Sequence, residues 1–212
     1  MLGLIEKDLR LSLARKQTLL IFFAAALIMG ISVQGAIVIG YLTMLATIVA
    51  VGTISYDEFD NGFAFLMTLP FDRKTYVREK YLFSLISAAA AWCVGAIMYC
   101  IGSVVRHNAS NLTVELPMLL AIIPVMYLSA AIMIPLQLKY GAEKSRIALF
   151  LVFGVIAILI RALSGSNTAA ELAMTLDGSS PAAVLVILAA VCAMIAFASC
   201  LLSIRIMEKR EF

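Results

Sequence analysis

The chain has 212 residues, 63% of them apolar and only 14% charged, whereas charged residues make up about a quarter of an ordinary soluble domain. That composition excludes a soluble globular protein and points to an integral membrane protein built of apolar helices. The net charge of +3 is too small for nucleic-acid binding or bulk attraction to an anionic surface, so what matters is where the charges sit.

Met1 to Lys16 places Leu2, Ile5, Leu9 and Leu13 at helical spacing, with Glu6, Lys7, Arg10 and Arg15 elsewhere on the wheel. This pattern predicts an amphipathic helix lying in the membrane interface, with Arg15 and Lys16 marking the aqueous boundary. Gln17 to Tyr56 holds no charged residue. It is long enough for two crossings of about 20 residues each, and spans are expected over 18–33 and 36–54 with a tight turn between them.

Ser55 to Tyr81 is the longest polar interruption of the chain. Asp57, Glu58 and Asp60 open it, 62–69 is amphipathic, Pro70 punctuates, and Arg73, Lys74, Arg78 and Lys80 follow. Span three is expected over 82–105. A polar loop follows it, and span four over 116–138 carries Pro124 and Pro135, whose missing backbone donors predict kinks. Lys139 to Arg146 reads as a second charged loop and 147–163 as span five. A Ser, Thr and Gly-rich connector comes next, with a short helix expected around Ala169 to Leu176. Span six runs over 181–206, beginning at Pro181, a favoured first-turn residue.

In this layout the basic N-terminal segment, Arg73 to Lys80, Lys139 to Arg146, and Arg205, Lys209 and Arg210 all fall on one side. Only Arg106 and Arg161 approach the other. The positive-inside rule therefore puts both termini and the 55–81 loop in the cytoplasm.

Chemistry-bearing patterns are sparse. Cys93, Cys100, Cys192 and Cys200 lie in apolar runs without metal-ligand spacing. No GxxxxGK[ST] loop occurs, so the chain is not expected to hydrolyse ATP itself, and no ionisable residue stands at a span midpoint to couple ions. Asp57, Asp60 and Gly62 weakly resemble the start of the phosphatidyltransferase motif, in which aspartates hold catalytic metals, but the rest of that motif is absent. A metal-dependent intramembrane phosphotransferase using Asp57 and Asp60 is the alternative reading, and an uncoupled small carrier a third.

The segment DE…LPFDRKTYVREKYL (Asp57 to Leu82), the segment PLQLKYGAEKSR (Pro135 to Arg146) and the N-terminal LIEKDLRL (Leu4 to Leu11) together resemble the short ABC-2-type permeases. They are most similar to the small transmembrane subunits of staphylococcal phenol-soluble modulin exporters. The resemblance implies an all-α integral membrane fold of six transmembrane helices in the bacterial plasma membrane. It also implies an N-terminal interfacial helix and a cytoplasmic coupling helix between spans two and three.

The resemblance further implies that two such permeases pair, as a homodimer or with a second permease, over two copies of a separate ATPase, and that the cargo is an amphipathic, membrane-active peptide, with drugs, antimicrobial peptides or lipid-linked products as the alternative. The permease itself binds no cofactor, ATP and Mg²⁺ belonging to the partner. The residues implied in ATPase coupling are Asp57, Glu58, Phe63, Phe65, Leu66, Leu69, Pro70, Arg73, Tyr76, Arg78 and Lys80. Lys139, Gly141, Glu143, Lys144 and Arg146 would make a second, smaller contact. In this reading Phe63, Phe65, Leu66, Met67 and Leu69 form an exposed apolar anchor, and Asp57, Glu58, Arg73 and Arg78 a polar rim.

Overall fold

A computed structural model describes residues 2–14, 16–32, 37–59, 62–66, 68, 71–105, 112–164 and 180–209. These segments are helical almost throughout: α1 (Leu2–Ala14), α2 (Lys16–Ser32), α3 (Ile37–Glu58), the short α4 (Gly62–Leu66), α5 (Arg73–Val105), α6 (Leu112–Ser164) and α7 (Pro181–Lys209). The helix expected around Ala169 to Leu176 lies outside the described residues.

Among the described residues, four helices are long and apolar enough to cross a membrane, lying within α3, α5, the first part of α6 and α7. A fifth candidate is the bent pair Gly3–Ala14 and Leu19–Met29, whose halves meet at 71°. Side chains that would be core in a soluble protein are exposed along these helices, including Ile21 and Ile28 on α2, Ile97 and Ile101 on α5, and Met194 and Phe197 on α7. Apolar faces of that extent suit a lipid surround or a second membrane chain.

Three features differ from the sequence reading. First, α5 begins at Arg73 rather than Leu82. Asp72 opens it with its carbonyl accepting from the Tyr76 amide at 3.1 Å, and the charged Arg73 to Lys80 segment continues the helix because lysine, arginine and glutamate are good helix formers. Second, Lys139 to Arg146 is not a loop. The backbone stays helical through Pro117, Pro124 and Pro135 and breaks at Gly141, with φ 78° and ψ 174°, a conformation open to glycine and costly for any residue with a Cβ.

Third, α1 turns a different face inward. Leu4 and Asp8 are buried while Leu9 and Leu13 are about half exposed. The apolar stripe thus faces away from the protein, and the face between its edges carries the contacts with α3 and α5.

α7 starts where Pro181 predicts, with Ser180 as its cap: the Ala183 amide donates to the Ser180 carbonyl at 2.9 Å and lies 3.3 Å from its hydroxyl. α3 packs along α5 and α6, and α6 along α7. Val51 and Ile54 of α3, Tyr76 and Val77 of α5, Ile134 and Leu138 of α6, and Met207 of α7 share one core.

Polar rungs cross that core. The Tyr81 hydroxyl lies 2.7 Å from Ser199 Oγ and 2.9 Å from Ser203 Oγ, and Ser199 donates to the Ala131 carbonyl, so α5, α7 and α6 are tied at one level. Thr43 and Thr47 of α3 return their hydroxyls to their own helix at Ile39 and Thr43 and so satisfy themselves in an apolar setting.

Candidate functional site: a buried charge cluster behind a short helix

The polar segment between α3 and α5 does not hang free. α4 begins at Gly62, and a Cβ there would stand 2.7 Å from the Asp57 carbonyl oxygen, so only glycine lets the chain double back this closely on the end of α3. The fold-back turns Phe63 and Leu66 inward, 4% and 8% exposed, and leaves Phe65 70% exposed. Phe59, just before α4, is 68% exposed. The apolar anchor expected from sequence is therefore split: Phe63 and Leu66 hold α4 down, and Phe65 faces outward. Leu69 and Pro70 lie outside the described residues, as do Asp60 and Met67.

Phe63 meets the Tyr76 ring edge to face, with centroids 5.7 Å apart at 78°. Behind Tyr76 lies a cluster of charges. The Tyr76 hydroxyl donates to Asp57 Oδ2 at 2.8 Å, and the Lys80 ammonium reaches the same oxygen at 2.8 Å and also bonds Asp8 of α1. Lys7 donates to Asp57 Oδ1 and sits 3.2 Å from Asp8. The Thr53 hydroxyl accepts from Lys80 at 2.9 Å and donates to Asp8 at 3.0 Å.

Lys7, Lys80, Asp8 and Asp57 balance to zero charge, and all but Lys7 are almost wholly buried. Three helices distant in sequence, α1, α3 and α5, are clasped at one point. Burial works against the Lys7 ammonium, but Asp57 and Asp8 outweigh it and hold its pKa above the usual lysine value.

Asp57 of the expected polar rim, and Tyr76 and Lys80 among the other implied coupling residues, are interior, 5%, 0% and 2% exposed, and bind one another. Arg73 also turns inward on the protein: its Nη1 donates to the Met207 and Glu208 carbonyls at 3.1 and 3.0 Å, closing the free end of α7. Lys74 adds a pair with Glu208 at 3.3 Å. Arg78 is exposed and available outside.

Glu58 approaches the break in α6, where a Cβ on Gly141 would stand 2.9 Å from its carboxylate. The two segments singled out in the sequence, 57–82 and 135–146, therefore touch. Lys139 stacks 5.0 Å over the Tyr140 ring and Lys144 is exposed. The side chains of Glu143 and Arg146 lie outside the described residues.

A divalent metal does not fit here. Two ammonium groups occupy both oxygens of Asp57 and would repel a cation, and the described residues contain no group of three potential ligands. The phosphotransferase reading loses its first aspartate to the clasp.

Lys7, Asp8 and Thr53 were not legible as site residues. The one available signal was Asp8 itself, an acid one helical turn after Leu4 and one before Leu11, where an interfacial helix would carry an apolar or solvated residue. Glu79 is also fully buried, and its carboxylate has no hydrogen-bond partner among the described residues.

A family model described as ABC-2 family transporter protein matches residues 3–208. No curated protein matches the chain.

Proposed function

The chain belongs to the ABC-2 family of transporter proteins, and from that premise we propose that it is the membrane half of an exporter powered by a separate cytoplasmic ATPase that docks on α4. ABC-2 permeases generally work with an ATPase subunit. The observation that carries the docking reading is the split of α4: Phe63 and Leu66 pin it to the core while Phe65 stands 70% exposed. An exposed aromatic anchor is what a partner groove grips, and Arg78, Lys74 and Lys144 are exposed cations on the helices that follow.

The clasp gives the contact its consequence. A push on α4 passes through Phe63 to Tyr76, and from there to Asp57, Lys80 and α1. The break at Gly141, against Glu58, offers a second contact next to the first. Both permease copies of a homodimer would present these elements to two ATPase copies at the basic, cytoplasmic end. ATP binding would draw the ATPases together and narrow the path between the permeases, expelling an amphipathic, membrane-active peptide. Exposed Met and aromatic side chains such as Met44, Met194 and Phe197 suit a greasy cargo or the second copy.

The test is affinity purification of the tagged permease from mild detergent. An ATPase should come with it in equal stoichiometry and be stimulated by amphipathic peptides. Phe65→Asp should remove the ATPase without lowering the melting temperature of the permease. A permease that emerges alone from several mild detergents, or keeps its partner with Phe65→Asp, overturns the reading.

A further inference from the structure

A cleft of about 260 Å³ lies in the angle between α1 and α2, closed on its third side by α3. Leu11 of α1, Leu19 and Phe22 of α2, and Ile48 and Val49 of α3 make it apolar. Ser12 and Tyr56 bring hydroxyls into it, and the buried Ser12 Oγ has no hydrogen-bond partner among the described residues. Gly52 forms part of the wall, and a Cβ built on it would meet nothing within 4 Å, so the helix surface there is recessed rather than packed.

We propose that this cleft holds one acyl chain of an anionic glycerophospholipid, with the headgroup phosphate at Lys16. Three observations select that occupant. The cleft lies in the 71° bend between α1 and α2, and α1, with Leu9 and Leu13 turned outward beside exposed charges, suits the depth at which headgroups give way to chains. Its volume falls short of the roughly 300–1,000 Å³ of sites for drug-sized molecules, and the apolar side chains of Leu11, Leu19, Phe22, Ile48 and Val49 suit part of a slender chain. Lys16 opens α2 one turn before Leu19, exposed and with no acidic partner among the described ion pairs, so a phosphate there would meet an ammonium group.

Thr53, which bonds both Asp8 and Lys80, also lines the cleft. The bound chain therefore lies directly against the clasp. The site depends on the chain being embedded in a bilayer, not on an ATPase docking at α4.

The experiment reconstitutes the full chain in nanodiscs of phosphatidylcholine containing a trace of phosphatidylglycerol with a photoreactive acyl chain, and maps the cross-links by peptide sequencing. Labelling should concentrate on Leu11, Leu19, Phe22 and Phe59. Gly52→Leu, whose Cβ would meet nothing within 4 Å and whose branches extend into the recess, should cut it about tenfold, the worth of roughly two displaced methylenes. Lys16→Gln should abolish the preference over an equally photoreactive phosphatidylcholine, and a photoreactive free fatty acid should label less than the phospholipid.

Labelling spread evenly over the exposed faces of α2, α5 and α7 and indifferent to Gly52→Leu overturns the proposal. So does stronger, Gly52-sensitive labelling by a photoreactive amphipathic peptide, or by the free fatty acid.

Discussion

Replacing Lys80 by methionine keeps the stem's volume and removes the charge that holds Asp8 and Asp57 together. In the wild type two ammonium groups face two carboxylates. In Lys80→Met, Lys7 alone must serve both acids, and Lys7 is the outermost member, with its side chain 29% exposed. Thr53 also loses the donor 2.9 Å away. Breaking a buried pair from one side leaves an uncompensated charge and costs about 3–5 kcal/mol. For a chain of this size that lowers the melting temperature by roughly 6–20 °C.

Cys192 provides the readout, since it is 2% exposed and becomes reactive to a thiol dye on unfolding once the other three cysteines are replaced by alanine. Arg78→Met, on the same helix but exposed, should change stability by no more than about 0.5 kcal/mol. Adding Asp57→Asn to Lys80→Met restores one cation facing one carboxylate, Lys7 with Asp8, and should recover at least about 1 kcal/mol. If Lys80→Met melts with Arg78→Met, or the second substitution adds to the first instead of offsetting it, the four charges do not act as a unit.

Phe63→Ala should cost about 3 kcal/mol because it empties a buried site against Tyr76, while Phe65→Ala should leave the same melting curve within about 0.5 kcal/mol. Gly141→Ala should lose about 1–2 kcal/mol to its left-handed backbone, and Glu58→Ala in the same background should return only the steric share, as read by the same melt. Arg73→Ala should speed amide hydrogen exchange in the last turn of α7, around Ile206 to Glu208, and leave the start of that helix unchanged. The Lys7 contribution has a defined sign: its folded pKa lies above 10.5, the unfolded value, so its stabilisation is complete below 10.5 and fades as the pH rises through the folded pKa. Lys7→Met should therefore flatten the alkaline end of a melting-temperature scan relative to wild type.

The helices themselves were legible because apolar length and the position of charges announce them. Pro181 marked the start of α7, and the polar residues from Asp57 marked the end of α3. The orientation of side chains was not legible, for a physical reason. In a soluble chain burial follows apolarity, but in α1 Leu9 and Leu13 face outward while Asp8 is buried beside Leu4, so apolarity alone does not tell its inner face. Nor could pairing be read, because 50 residues separate Lys7 from Asp57 and 72 separate Asp8 from Lys80. A run of charges before a span looks the same whether it solvates a loop or neutralises partners from elsewhere. Gly141 reads as part of a loop because charges surround it, but its positive φ needs one residue only, and the helix resumes at once.

The rung at Tyr81, Ser199, Ser203 and Ala131, together with the Arg73 contacts at the end of α7, has a kinematic meaning. α5, α6 and α7 are fastened to one another at the level of Tyr81, α5 and α7 again at Arg73, and α3 is fastened to α5 by the clasp. Under the docking proposed above, a lever acting at α4 would swing these four helices together rather than prise them apart, and the moving seam of a transport cycle would lie outside the group they form.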